Sequence, residues 1–275
     1  MNNKPTDAEI DNFLNEDIGS GDITASIISG SVLAKAIVIT RENMTLCGQA
    51  WFNAVFSRLN SGVAINWLVN EGDECEAGTR LCELHGAARD LLTGERTALN
   101  LLQTLSATAT IARQYANAVS GTNCRVLDTR KTIPGLRNAQ KYAVTCGGCF
   151  NHRAGLYDGV LIKENHVLAA GSIAMAINAA RKISEVLVEV EVESLAEFEQ
   201  ALLAKPDRVM LDNFSVEMMQ QAVLLNQGQV AIEASGDITL SNIREIAETG
   251  VDFISIGALT KHVQAINLSM RIQME

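Results

Sequence analysis

The 275-residue chain sets 22 Lys and Arg against 32 Asp and Glu, a net charge of −10, and is 47% hydrophobic. That is enough apolar material for one barrel-sized domain or two smaller ones, while the acidic field opposes nucleic acid and anionic membranes, so any anion must be held locally. The opening MNNKPTDAEIDNFLNEDIG has no signal-peptide core, no apolar run reaches ~18 residues, and six irregularly spaced cysteines read as mostly reduced thiols, which makes the cytoplasm the expected compartment.

In chain order, the first half mixes element types. KAIVITRENMTLCG predicts a strand and turn, QAWFNAVFSRLN an amphipathic helix, and VAINWLVNEGDECEAGTRLCELHG two or three strands separated by Gly turns. NEGDECEAGTRLCELHG nearly matches the rhythm of a biotinyl or lipoyl carrier half-barrel. It lacks the exposed hairpin lysine that attachment needs and so reads as structural. From Ala88 to about Ala118, Leu92, Glu95, Leu99, Leu102 and Leu105 recur at helical spacing. A seam is expected near Thr104 to Thr110, where small and β-branched residues should weaken that helix.

The second half alternates strands and helices. Strands are predicted at CRVLD (124–128), GVLIK (159–163), EVLVEVEV (185–192), RVMLD (208–212), VAIEAS (230–235) and FISIG (253–257), with helical patterns such as GSIAMAINAARKI and SVEMMQQAVLLN between them. Such alternation implies a parallel sheet. The expected fold is therefore α/β. An N-terminal α+β, sandwich-like domain (1–106, which a tail at 267–275 could join) precedes an open or irregular barrel with parallel strands (107–266), since fewer than eight units are clear.

Lys163, Glu191, Asp212, Ser235 and Gly257 each stand at or near a strand's C-terminal end, at intervals of 28, 21, 23 and 22 residues. In β/α barrels those ends share one mouth, where the chemistry sits. The segment from Asp128 to His166 is also a basic island: of the chain's 22 cations and 32 acids it holds six and three, leaving 16 and 29 elsewhere. Arg130, Lys131, His152, Arg153 and Lys163 would line one side of the mouth and suit carboxylates and phosphates. Glu191 and Asp212 would line the other and suit ribose hydroxyls or Mg²⁺. EASGDIT and SIGALT place Ser/Gly turns before helices, where backbone N–H groups bind phosphate.

Taken singly, each feature has an ordinary explanation. Arg130 and Lys131 could be a solvated turn, Glu189, Glu191 and Glu193 a polar strand face, His152 a structural histidine, and the glycines simple turns. Their recurrence once per β/α unit favours a site. CGGC at Cys146 to Cys149 has zinc or redox spacing but lacks a second CxxC, so a structural role is preferred. A lyase or isomerase acting on a phosphorylated substrate is the competing class.

GERTALNLLQTLS, LDTRKTIPGLRNAQKYAV, CGGCFNHRAGLYDGVLIKENH, VEVEVES, MLDNF, EASGDIT and ETGVDFISIGALTKHV together resemble the nicotinate-nucleotide pyrophosphorylase (carboxylating), or quinolinate phosphoribosyltransferase, family. The resemblance runs from about Ala8 onward. It implies that quinolinate and phosphoribosyl pyrophosphate give nicotinate mononucleotide, pyrophosphate and CO₂, with Mg²⁺, in de novo NAD biosynthesis. It also implies a homodimer in which Arg96 reaches the neighbouring subunit's site. By motif, Arg130, Lys131, His152, Arg153 and Lys163 fall on substrate-binding positions, and Ser235, Gly236 and Gly257 on phosphate-loop positions. Lys131, Glu191 and Asp212 are the expected catalytic residues, and Glu191 and Asp212 would hold the metal directly or through water or substrate. Cys149 stands where many members carry Gly, Asp237 where some carry Gly, and Lys261 where some carry His. A molybdenum-transport-associated relative shares a similar TRK motif but not the full dicarboxylate-binding set.

Overall fold

The computed structural model describes residues 3–275, which gather into two compact units interleaved in sequence. One holds the chain up to Arg113 with Thr132–Gly148 and Leu259–Glu275; the other holds Gln114–Lys131 and Cys149–Ala258.

The first unit opens with α1 (Asp7–Ile18), started by a reciprocal capping box in which Thr6 N donates to Glu9 Oε2 at 2.7 Å and Glu9 N to Thr6 Oγ1 at 3.3 Å. β1 (Leu33–Thr40), β2 (Met44–Thr45), α2 (Gln49–Leu59), β3 (Ala64–Trp67), β4 (Glu74–Cys75), β5 (Arg80–Ala87), α3 (Ala88–Ala118, the end of which belongs to the second unit) and α4 (Arg137–Cys146) follow. β1 alternates buried Ala34, Ala36, Val38 and Thr40 with more exposed neighbours, so one sheet face is covered. It pairs antiparallel with β5 on one side and on the other with β12 (Leu268–Met274), Thr40 opposite Leu268. The core is apolar: Phe52 packs on Phe56 and, edge-on, on Trp67, with ring centroids 5.2 and 5.3 Å away, inside one cluster drawn from α1, α2, α3, α4 and the sheet.

The expected weakening at Thr104 to Thr110 does not occur, because α3 runs unbroken through it. The hydroxyls of Thr104, Thr108 and Thr110 bond back to carbonyls four residues earlier, and Ser106 Oγ both accepts from Cys47 N (3.1 Å) and donates to Cys47 O (3.0 Å). Side chains that disfavour an isolated helix are here consumed by it and by a buried loop.

In the second unit, β6 (Arg125–Leu127), β7 (Val160–Ile162), β8 (Val188–Val192), β9 (Arg208–Asp212), β10 (Ala231–Ser235) and β11 (Phe253–Ser255) form one parallel sheet in the order β6-β11-β10-β9-β8-β7. All six predicted strands are present; β9 keeps its predicted bounds and the other five are shorter than predicted. Between them lie α5 (Glu164–Ala170), α6 (Ile173–Ile183), α7 (Leu195–Ala204), α8 (Val216–Asn226) and α9 (Ile243–Glu248). Ser172, Ser194 and Ser215 cap α6, α7 and α8, each accepting an N–H three residues on. α6 buries Ile173, Ala176, Ile177 and Ala180, the spacing of a single helical face. The first strand pairs with the last, and His152, which follows a bridge between Phe150 and the β6 edge, touches Glu189 of β8. The sheet is therefore curled into an open barrel.

Candidate active site

Asp128 just beyond β6 organises one side of the mouth. It is fully buried, and its carboxylate accepts His152 N at 2.9 Å and Asn151 Nδ2 at 2.6 Å, which ties the DTRK and NHR segments together. Thr129 Oγ1 accepts Lys131 N at 3.1 Å and folds the turn that presents Arg130 and Lys131. Arg153 donates to Gly159 O at 3.1 Å. Burial, and then the neighbouring Arg130 charge, hold its guanidinium below the ordinary value. Like charges gathered this way suit an anion.

Across the mouth, Lys163 Nζ meets Glu191 Oε2 at 2.6 Å, with Asp212 beyond. Burial first, then Glu191, push the Asp212 carboxyl above its usual range, while Lys163 and Lys131 counter them. Asp212 Oδ2 accepts Asn213 Nδ2 at 2.8 Å. These groups line a cavity of about 320 Å³, within the span of small-molecule sites.

Eight predicted residues line that one cavity: Arg130, Lys131, His152, Arg153, Lys163, Glu191, Asp212 and Ser235. Gly236 and Gly257 are not among the lining residues; each packs closely against a neighbouring loop. A Cβ on Gly257 would come within 3.0 Å of Lys131 Cδ; one on Gly236 (φ +102°) would lie 2.1 Å from Asn213 Oδ1. Asp237 is exposed and outside the lining, and Arg96 stands exposed on α3 of the first unit.

Sequence reasoning missed Thr129, Leu161, Met210, Glu233 and Ser255, which also line the cavity. A usable signal existed. Leu161, Glu189, Met210, Glu233 and Ser255 each lie two residues before a predicted strand-end residue, and alternate residues of a strand share a face. They form the layer beneath the mouth.

That layer is polar. Glu189 and Glu233 are both fully buried; His152 Nε2 lies 2.8 Å from Glu189 and 3.5 Å from Glu233, and Arg208 binds Glu233 at 2.8 Å with its guanidinium 4.1 Å over the Phe253 ring. His152 Nδ1 accepts Arg153 N at 2.8 Å, so Nε2 is the donating nitrogen. One oxygen on each glutamate and Arg208 Nε have no partner among the described residues. Burial pushes both carboxyls up, to about 7.

The sequence matches the family description "Quinolinate phosphoribosyl transferase, C-terminal domain" over residues 108–271 and the corresponding N-terminal domain over residues 22–106. The chain belongs to the quinolinate phosphoribosyltransferase family. It is 38% identical over 274 residues to a probable nicotinate-nucleotide pyrophosphorylase (carboxylating) of Bacillus subtilis, covering 99% of this chain and 95% of that one. The Synechocystis protein of the same name is 40% identical over 271 residues, covering 97% and 92%. Among solved structures, the nicotinate-nucleotide pyrophosphorylase of Francisella tularensis superposes with a TM-score of 0.95 at 49% identity, covering 98% of each chain. Mixed α/β architecture with an open parallel barrel is the fold of this quinolinate phosphoribosyltransferase family member.

Proposed function

We infer that the protein is a decarboxylating quinolinate phosphoribosyltransferase, a pentosyltransferase of NAD biosynthesis. It joins quinolinate to phosphoribosyl pyrophosphate and releases nicotinate mononucleotide, pyrophosphate and CO₂. The observation that carries this is the single cavity in which Arg130, Lys131, Arg153 and Lys163 face Glu191 and Asp212. A lyase acting on one phosphate would not need so many cations opposite a pair of acids.

The cations bind the two carboxylates of quinolinate and the phosphates, Arg through paired N–H groups and Lys as a point charge. As the quinolinate ring nitrogen bonds to the anomeric carbon, the bond to pyrophosphate breaks and its electrons leave with that group. Glu191 and Asp212 steady the positive charge growing on the ribose, and Lys131 the negative charge on the departing pyrophosphate. The carboxylate beside the now cationic nitrogen then leaves as CO₂. Its bonding electrons stay on the ring carbon, which takes up a proton from solvent. No protein nucleophile is required.

Glu191 and Asp212 suit Mg²⁺, which takes one or two carboxylates along with substrate phosphates; bound there, it would neutralise phosphate charge. Arg96, exposed on α3, suits a homodimer in which each subunit supplies a cation to the other's site. The cytoplasm is the compartment in keeping with free cysteines, and no described helix is long and apolar enough to cross a membrane.

The test is release of labelled CO₂ from carboxyl-labelled quinolinate. Release should need both phosphoribosyl pyrophosphate and Mg²⁺ and fall on the order of 10²- to 10³-fold in Arg130→Ala. No release from folded wild type would sink the assignment. Mixing inactive Arg96→Ala with inactive Glu191→Ala tests the dimer: sites built across subunits should regain part of the activity, and self-contained sites should regain none.

A further inference from the structure

In the first unit, Cys47, Glu71 and Cys146, none of which lines the barrel cavity, converge. Each offers one ligand atom, and these atoms all lie within 4.8 Å of one another, Cys146 Sγ being 3.9 Å from Glu71 Oε2. They come from three separate segments: the loop entering α2, the turn before β4 and the last residue of α4. Each segment is held independently. The two hydrogen bonds between Cys47 and Ser106 fix the first. Arg113 donates to the carbonyls of Gly72 and Cys146, both at 3.3 Å, and so clamps the other two together.

The chemistry of the cluster is unbalanced. Glu71 is half-buried, and its partners are the backbone N–H groups of Gly48 and Gln49 and the thiols; among the described residues no cationic side chain pairs with it. Burial raises its carboxyl and also the Cys47 thiol, whereas a hydrogen bond from Cys47 lowers the thiol of Cys146. Accepting the first N–H groups of α2 accounts for the carboxylate but not for the two thiols set against it, whereas a cation would satisfy all three at once. Tetrahedral zinc, with Zn–S of about 2.3 Å and Zn–O of about 2.1 Å, needs donors roughly 3.5–3.8 Å apart, so this set has only to contract slightly. Glu71 also lines a cavity of about 630 Å³ beside Gln49, Asn53 and Tyr142, which gives an ion a route in and leaves room for a water.

We propose that Cys47, Cys146 and Glu71 bind a thiophilic divalent cation of the Zn²⁺ class, with a cavity water as fourth ligand. Two thiolates select against Mg²⁺ and Ca²⁺. The site is thus chemically distinct from the all-oxygen pair Glu191 and Asp212. It also draws its second sulfur from Cys47 rather than from Cys149, the partner that the CGGC spacing suggests.

Cobalt provides the test. Reduced, chelator-treated protein titrated with Co²⁺ should develop a near-ultraviolet thiolate-to-cobalt band that saturates at one ion per chain and disappears on adding Zn²⁺. Cys47→Ser and Cys146→Ser should each abolish the band, Glu71→Gln should weaken cobalt binding at least about tenfold, and Cys149→Ser should leave it intact. As a check that needs no variant, Zn²⁺ should slow alkylation of wild-type Cys146. Absence of the band in wild type with all six thiols titrating as free, its survival in both serine variants, or unchanged alkylation would each overturn the site.

Discussion

The two units of this chain solve the problem of an interior in opposite ways. The first fills its centre with Phe52, Phe56, Leu81, Leu84 and Leu102, all fully or almost fully buried and none needing a partner. The second places His152, Glu189, Arg208 and Glu233 inside its barrel, beneath a mouth lined with further charges. Apolar packing gains free energy in rough proportion to buried area, whereas buried charges repay their desolvation only when geometry and pairing are good. The lesson is that the second unit trades stability for a stiff polar floor that orients the groups above it, His152 holding the backbone of Arg153 among them.

The contrast can be broken most forcefully at Arg208. Arg208→Leu leaves Glu233 and Glu189 without their guanidinium and should cost roughly 3–5 kcal/mol, of which the double change with Glu233→Leu should recover a large part. Trp51 and Trp67 both belong to the first unit, so fluorescence reports that unit while far-ultraviolet circular dichroism reports both. Arg208→Leu should therefore pull the dichroism transition below the fluorescence transition in urea. Coincident transitions would mean that the units unfold together.

Phe52→Ala is the mirror experiment. It should lower the fluorescence midpoint by the equivalent of about 3–4 kcal/mol, with a cost that does not vary with pH.

The pH dependence of the second unit is a smaller effect with a definite sign. Glu233, raised from 4.5 to about 7 in the fold, binds more protons folded than unfolded between those values. Its favourable contribution is complete below about 4.5 and is lost as pH rises through about 7. Urea midpoints measured from about pH 5 to about pH 8 should fall for wild type and fall less for Glu233→Gln. A midpoint that stayed flat over that range would show that the buried carboxyls are ionised throughout.

Smallest of all, Thr6→Ala removes the α1 capping box and should cost about 1 kcal/mol, visible in the fluorescence midpoint alone.

The barrel was readable because each of its strands is an apolar run ended by a polar residue. Lys163, Glu191, Asp212 and Ser235 could be picked out by that break, and all four line the cavity. The layer below them was not readable in the same way. Glu189 alternates with Val188 and Val190 and so looks like a solvent-facing position, but a parallel strand in a barrel is covered on both faces and its alternate residues point inward. Glu233 hid inside an otherwise apolar run for the same reason. Long-range partnerships left no local trace: nothing near Cys146 indicates that Cys47 and Glu71 stand beside it, and nothing in Thr104, Thr108 and Thr110 tells of the carbonyls that make them tolerable in α3.

The pairing of β1 with β12 has a consequence in time. Thr40 finds Leu268, and Ala34 finds Met274, only after the ribosome has made every strand of the barrel between them. Until then β1 has β5 on one side and an open edge on the other, a template for the wrong strand or for another nascent chain. Closing so long a loop also slows the last step of assembly. The unit whose sequence comes first is thus the one that finishes last.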